Sequence, residues 1–157
     1  MKVDTQNTKV LIVSDSHNEW QKLKKIIDTE AADIVVFAGD FNDSFIYDDN
    51  KSVAESAQYH KQLINKNNSI VLFGNHCINV NPYNNNTTRC SGYEKRKDII
   101  VNNILTKEDW EKVKWHVIVD QYLITHAGLL PTHIQHLEDK GLDSIDDFLN
   151  RQTVKAN

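Results

Sequence analysis

The sequence predicts an α/β chain (α+β layered) with a sheet core flanked by helices. Three observations carry that prediction. Short apolar runs rich in β-branched residues recur at residues 10–13, 34–38 and 70–73. The segments between them have helical period and enough length to cross back over a sheet, the βαβ arrangement of parallel strands. A chain of 157 residues with 39% hydrophobic and 25% charged content also suits one domain with its own core.

The elements follow in order. KVLIVSDSH is apolar at every position from Val10 to Val13, as a strand buried on both faces requires. NEWQKLKKIIDTEA places Trp20, Leu23, Ile26 and Ile27 on one helical face and lysines on the other. Asp33 introduces the second strand, IVVFA. After a polar loop, SVAESAQYHKQLINKNN carries Val53, Ala57, Leu63 and Ile64 at helical spacing, and the third strand, IVLF, stops in Gly74-Asn75-His76. The next stretch, residues 78–97, has no clear period and reads as a surface loop of about twenty residues, a length that is often functional. KDIIVNNIL predicts a short helix. TKEDWEKV predicts another, with Thr106 as N-cap and Asp109 three places on. KWHVIVDQYLITHAG alternates around Trp115, Val117 and Val119, breaks at Asp120-Gln121 and resumes in YLIT, which predicts a hairpin or two neighbouring strands. PTHIQHLEDKG and DSIDDFLNRQ predict two further short helices, with Pro131 near the start of the first and Ser144 capping the second.

Composition narrows the function classes. A net charge of −4 has no basic surplus, which disfavours a general nucleic-acid or anionic-membrane binder. No apolar run approaches the roughly 18 residues of a membrane span, and MKVDTQNTKV has no apolar signal core. Cys77 and Cys90 are too few for a disulfide framework and lack CxxC spacing. They read as free thiols in a reducing compartment, so the expected location is cytoplasmic.

Chemistry gathers where the strands end. IVSDSH offers Asp15 and His17, VFAGDFND offers Asp40 and Asp43, LFGNH offers Asn75 and His76, and LITHAG offers His126. Singly, each has a plain structural explanation, such as a helix cap or a turn. In an open α/β sheet, however, side chains at the carboxyl ends of strands converge on one crevice. Carboxylate oxygen mixed with imidazole nitrogen there makes a candidate shell for manganese, iron or zinc.

In this order the blocks SDSHN, GDFND, FGNHC and THAGL resemble the calcineurin-like metallophosphoesterases. That family's pattern runs Asp-x-His, Gly-Asp-x-x-Asp, Gly-Asn-His, a later His, and a closing Gly-His pair. The extra Asp43 and the HAGLLP form of the fourth block look like the serine/threonine protein phosphatase branch and its phage and bacterial relatives. The resemblance implies a metallophosphoesterase-like sheet core with two divalent metal ions, manganese first and iron or zinc as alternatives. Asp15, His17 and Asp40 would hold the first ion, Asp40 would bridge, and Asn75 and His126 would hold the second. It further implies hydrolysis of phosphomonoesters by a metal-bridged hydroxide, with His76 as acid toward the leaving group and Asp43 orienting it. Two cations roughly 3.5–4 Å apart need such an anionic bridge and together acidify a shared water.

The chain also departs from the pattern. Ser44 stands where the branch has a phosphate-gripping Arg, Cys77 where Glu often follows Gly-Asn-His, and Asn18 where Gly is common. Arg89 and Arg96 are the cations expected to contact substrate instead. After His126 only His133 and His136 follow, at helical positions, and no Gly-His pair. The expectation is therefore a single domain over residues 1–157, incomplete at its C-terminus, truncated or reduced, lacking C-terminal strands and leaving a sheet edge exposed. A phosphorylated small molecule or phosphoprotein is the expected partner. The alternatives are a non-catalytic or weakly active remnant that binds metal, and a dinucleotide-polyphosphate hydrolase or nuclease using the same site. Oligomeric state and native metal stay open at this point.

Overall fold

A computed structural model describes residues 2–82, 89–132 and 134–135 of the chain. Along it run β1 (Lys2–Val3), β2 (Val10–Val13), α1 (Trp20–Glu30), β3 (Ile34–Phe37), α2 (Asn50–Ile64), β4 (Ser69–Val71), α3 (Asn75–Val80), α4 (Lys95–Asn102), α5 (Lys107–Lys112), β5 (Val117–Val119) and β6 (Tyr122–Ile124). The apolar runs form a parallel sheet in the order β2-β3-β4, with Val13 opposite Phe37 and Phe37 opposite Val71. This alignment brings three strand ends level with one another. A second sheet has the order β1-β5-β6, with β5 parallel to β1 and antiparallel to β6.

Alternation along β3 explains how the layers stack. Val35 and Phe37 share a buried cluster with Leu23 and Ile27 of α1 and with Val53, Ala57 and Leu63 of α2. Val36 and the following Ala38 point to the opposite face. There they join Ile70 and Leu72, together with Val3, Val117 and Val119 of the second sheet. The β2-β3-β4 sheet is thus covered by helices on one side and by the second sheet on the other, and the central strand β3 is accordingly apolar at every position. The ladder continues past β4: Leu72 bridges Lys114, and the Phe73 N–H donates to the Lys114 carbonyl at 2.8 Å.

Local chemistry sets the helix starts. The Asp49 carboxylate accepts from the backbone N–H groups of Lys51 and Ser52, at 3.0 and 3.1 Å, and so caps α2. Thr106 and Asp109 form the reciprocal capping box expected for α5.

The hairpin at residues 117–124 and the elements β2, α1, β3, α2 and β4 follow the sequence reading. Three details differ. β1 is too short to show a period; it is tied down by the second sheet and by the Thr5 N–H, which donates to Asp120 Oδ1 at 2.8 Å. The expected loop at 78–97 loses its first residues to α3, whose Cys77 and Val80 pack into the helical-side core. It loses its last to α4, which begins at Lys95. Residues 131, 132, 134 and 135 are helical, as PTHIQ predicts. The remainder of that helix, the one expected from Ser144, and His133 and His136 lie outside the described residues. Among the described residues β2 is an edge strand of its sheet, where Ile12 is 45% exposed. No helix among them is long and apolar enough to cross a membrane.

Candidate active site

Parallel strands deliver their carboxyl ends side by side, and short backbone hydrogen bonds lock the loops that follow. Past β2, the N–H groups of Asp15, His17 and Asn18 donate to the carbonyls of Gly39, Asp40 and Phe41 at 3.0, 3.1 and 3.0 Å. The β2 and β3 loops are therefore one welded unit. Its backbone is strained: Asp15, His17, Asn18, Asp40 and Asp43 all have positive φ, between 40° and 74°. Such conformations cost energy in side-chain-bearing residues and concentrate where function needs a fixed geometry.

Asp40 lies at the centre, 3% exposed. Its Oδ1 accepts the backbone N–H of His76 at 2.9 Å, and its Oδ2 is 3.3 Å from His126 Nε2. His126 Nδ1 lies 2.8 Å from the Ala38 carbonyl, which can only accept, so Nδ1 carries a hydrogen. Its Nε2 consequently faces two oxygens, Asp40 Oδ2 and Asn75 Oδ1, the latter at 3.1 Å. A cation between such atoms satisfies all of them. Asp15 completes the group: one donor atom each from Asp15, Asp40 and His126 lie within 4.8 Å of one another. His17 stands beside this trio. Its Nδ1 donates to the Asp43 carbonyl at 2.9 Å, and its Nε2 sits 3.6 Å from Asp15 Oδ1.

The second arrangement adjoins the first. His76 Nδ1 is 2.9 Å from Asp43 Oδ2, with both side chains largely buried. Asp43 Oδ1 accepts from the Lys97 ammonium at 2.9 Å. Lys97 is itself buried, donates to the carbonyls of Ser44 and Gly92, and lies 3.4 Å from Glu94. Burial pulls the Lys97 pKa down, but the hydrogen bond and charge of Asp43, aided by Glu94, outweigh it and hold the ammonium above the usual lysine value. The rings of His17 and His76 meet edge to face at 5.1 Å, joining the two groups.

The departures in sequence have structural employment. Ser44 Oγ accepts from the N–H groups of Ile46 and Tyr47 and so closes a turn. Cys77 is a core residue, 1% exposed, and burial first, then the charge of Asp40, pushes its thiol pKa up. Asn18 takes the left-handed φ of 69° in place of glycine and donates to the Tyr47 carbonyl. The two arginines separate. Arg96 is engaged by the Asp48 carbonyl, Asn50 Oδ1 and Glu94. Arg89 is exposed, stacks over Tyr93 at 4.4 Å and donates to the Asn79 carbonyl. Asn79 in turn donates to Cys90 Sγ, which lies 3.2 Å from His76 Nδ1.

Sequence reasoning missed Lys97 and Cys90. One reads as the end of a surface loop and the start of a short helix, the other as a free thiol. Nothing local in either segment marks a contact with Asp43 or His76.

Comparison with known proteins places this geometry in context. No curated protein matches the chain. Among solved structures, a protein serine/threonine phosphatase from Saccharomyces cerevisiae, described as similar to human phosphatase PP5, aligns with a TM-score of 0.52 at 19% identity. The alignment covers 83% of this chain and 42% of that one, so the chain spans less than half the length of the yeast phosphatase, and at this identity the likeness is one of fold. The family profile of calcineurin-like phosphoesterases matches residues 8–156, nearly the whole length, and the chain belongs to that family.

Proposed function

We propose that the chain is a metal-dependent phosphoesterase that hydrolyses phosphomonoesters as a single cytoplasmic domain. Asp15, His17, Asp40, Asn75 and His126 would hold two divalent ions, manganese first, and His76 would protonate the leaving group. The observation that supports this most is the convergence on Asp40, where a carboxylate oxygen and an amide oxygen both face one imidazole nitrogen, at 3.3 and 3.1 Å. That donor set suits manganese, iron or zinc. Carbonyls behind the rings of His17 and His126 hold each by Nδ1 and leave Nε2 for a ligand, the usual support of a metal-binding histidine. When bound, two divalent ions supply charge neutralisation for the phosphoryl group and an acidified water.

The chain's own residues do the rest. Asp43 holds His76 by Nδ1, and among the described residues the Nε2 of His76 has no protein partner, so that nitrogen is free to hand a proton to a leaving oxygen. Lys97 fixes the other oxygen of Asp43 and hence the plane of the carboxylate. Arg89, linked to His76 through Asn79 and Cys90, is the cation we favour for the phosphate, in place of the Arg that Ser44 replaces. The substrate is a phosphorylated small molecule or phosphoprotein.

The test is hydrolysis of p-nitrophenyl phosphate by the purified chain with manganese, iron or zinc added, with Asp40→Asn alongside. Metal-dependent turnover that falls by about a hundredfold or more in Asp40→Asn is expected. A folded wild-type protein that is inactive with every metal would overturn the proposal in favour of a metal-binding remnant.

A further inference from the structure

The structure assigns a second kind of metal site beside the Asp40 centre: a mononuclear zinc site made of His76 Nδ1, Cys90 Sγ and Asp43 Oδ2. Donor atoms of these three residues lie within 4.8 Å of one another. His76 Nδ1 is 2.9 Å from Asp43 Oδ2 and 3.2 Å from Cys90 Sγ. Tetrahedral zinc, with bonds of about 2.0–2.3 Å, sets neighbouring donors roughly 3.3–3.6 Å apart. The His76–Asp43 and His76–Cys90 pairs therefore need to open by only a few tenths of an ångström to admit the ion.

The surroundings meet the other requirements of a zinc site. Ligands want partners behind them, and both oxygen and sulfur have one: Lys97 donates to Asp43 Oδ1, and the Asn79 amide donates to Cys90 Sγ. Charge also balances. Zinc and Lys97 bring three positive charges; Asp43, Glu94 and the Cys90 thiolate bring three negative ones. Lys97 does not repel the ion unaided, because Glu94 lies 3.4 Å from it. The site is reachable, since the His76 side chain is 12% exposed and Cys90 is half-buried. Three protein ligands leave a fourth position for water. On binding, zinc–sulfur and zinc–nitrogen bonds form as the Cys90 S–H and His76 Nδ1–H bonds break; the thiol proton leaves to solvent and the imidazole keeps its hydrogen on Nε2.

This inference uses no residue of the Asp15–Asp40–His126 group but shares His76 and Asp43 with the proposed acid pair; zinc bound here would displace their hydrogen bond, and its test reads the thiolate ligand rather than phosphoester turnover. Cobalt(II) is the probe, because a thiolate bound to it gives a near-ultraviolet charge-transfer band that oxygen and nitrogen ligands cannot. Reduced wild-type protein, titrated with cobalt in thiol-free buffer, should develop this band to saturation and lose it when zinc is added. Cys90→Ser should abolish the band, with circular dichroism verifying its fold. Cys77→Ser should retain it, since Cys77 is the only other cysteine and lies in the core. Absence of the band in the wild-type protein overturns the assignment without recourse to any variant. So does a band of undiminished intensity in Cys90→Ser.

Discussion

Adding one methyl group at Gly74 tests whether the position of the Asp40 carboxylate matters. Gly74 has φ −113° and ψ 169°, extended backbone that alanine adopts freely. Backbone strain therefore does not enter into Gly74→Ala, and contact decides the outcome. A Cβ built there would lie 2.1 Å from Asp40 Oδ1, 2.4 Å from its backbone nitrogen and 2.8 Å from its Cγ. Ordinary contact begins at 3.4 Å, so the carboxylate must retreat by about 1 Å or more. It cannot do so freely, because Asp40 is buried and its carbonyl holds the His17 N–H. Overpacking of this kind costs about 1–3 kcal/mol, which should lower the melting temperature by several degrees in a chain of this size. A displacement of about 1 Å in a reacting constellation costs on the order of a hundredfold in rate. The assay is p-nitrophenyl phosphate turnover at saturating manganese, with bound metal measured on the same sample. Both should fall. As a control, Gly128→Ala meets nothing within 4 Å and carries only the strain of φ 76°, so it should reduce stability by about 1 kcal/mol and spare metal content. Folded Gly74→Ala protein with wild-type turnover and metal content would refute the reasoning.

Further outcomes follow from neighbouring residues. His76→Asn should lower kcat by about 10²- to 10⁴-fold with metal content at the Asp40 centre retained in manganese; loss of that metal would reassign His76 as a ligand. Lys97→Met leaves the Asp43 carboxylate buried without its cation and should cost about 3–5 kcal/mol by urea unfolding, whereas an unchanged midpoint would mean that His76 alone supports Asp43. His60 is fully buried, stacked on Phe41 at 4.3 Å, and burial, opposed only by the charge of Asp109, pushes its pKa from 6.5 down to about 3. The unfolded chain takes up this proton below pH 6.5 and the folded chain does not until about pH 3. Stability therefore drops by about 1.4 kcal/mol per pH unit on acidification through that window and is fully present above it. Compared with His60→Leu, the wild-type protein should lose about 2 kcal/mol more between pH 7.5 and pH 5; a wild-type-to-variant gap that ignores pH would contradict the burial argument.

The strands and their ends were legible in the sequence because their signal is local. The run Ile34–Phe37 is buried at three of its four positions, whereas Val10–Val13, expected to be buried on both faces, lies at the sheet edge with Ile12 exposed; the residues that terminate each run are read directly from the chain. The capping box at Thr106 and Asp109 is of the same kind, two residues three apart. Contacts between distant segments leave no such trace. Lys97 meets Asp43 across 54 positions, and Arg96 reaches Asn50 across 46. In the sequence the two cations are neighbours of equal standing; in the fold one is buried against the His76 partner and the other clamps the start of α2.

Gly74 divides the two kinds of information most clearly. By itself the sequence determined that an apolar run stops at Gly74 and is followed by Asn75 and His76, because these are local facts; the structure makes Gly74 the extended residue that starts α3. Only the tertiary structure decided that the glycine is needed for space, since the atom it makes room for belongs to Asp40, on another strand. Periodicity records which face of an element is buried, but not what a neighbouring element places against it, and the chemistry of this site resides in those placements.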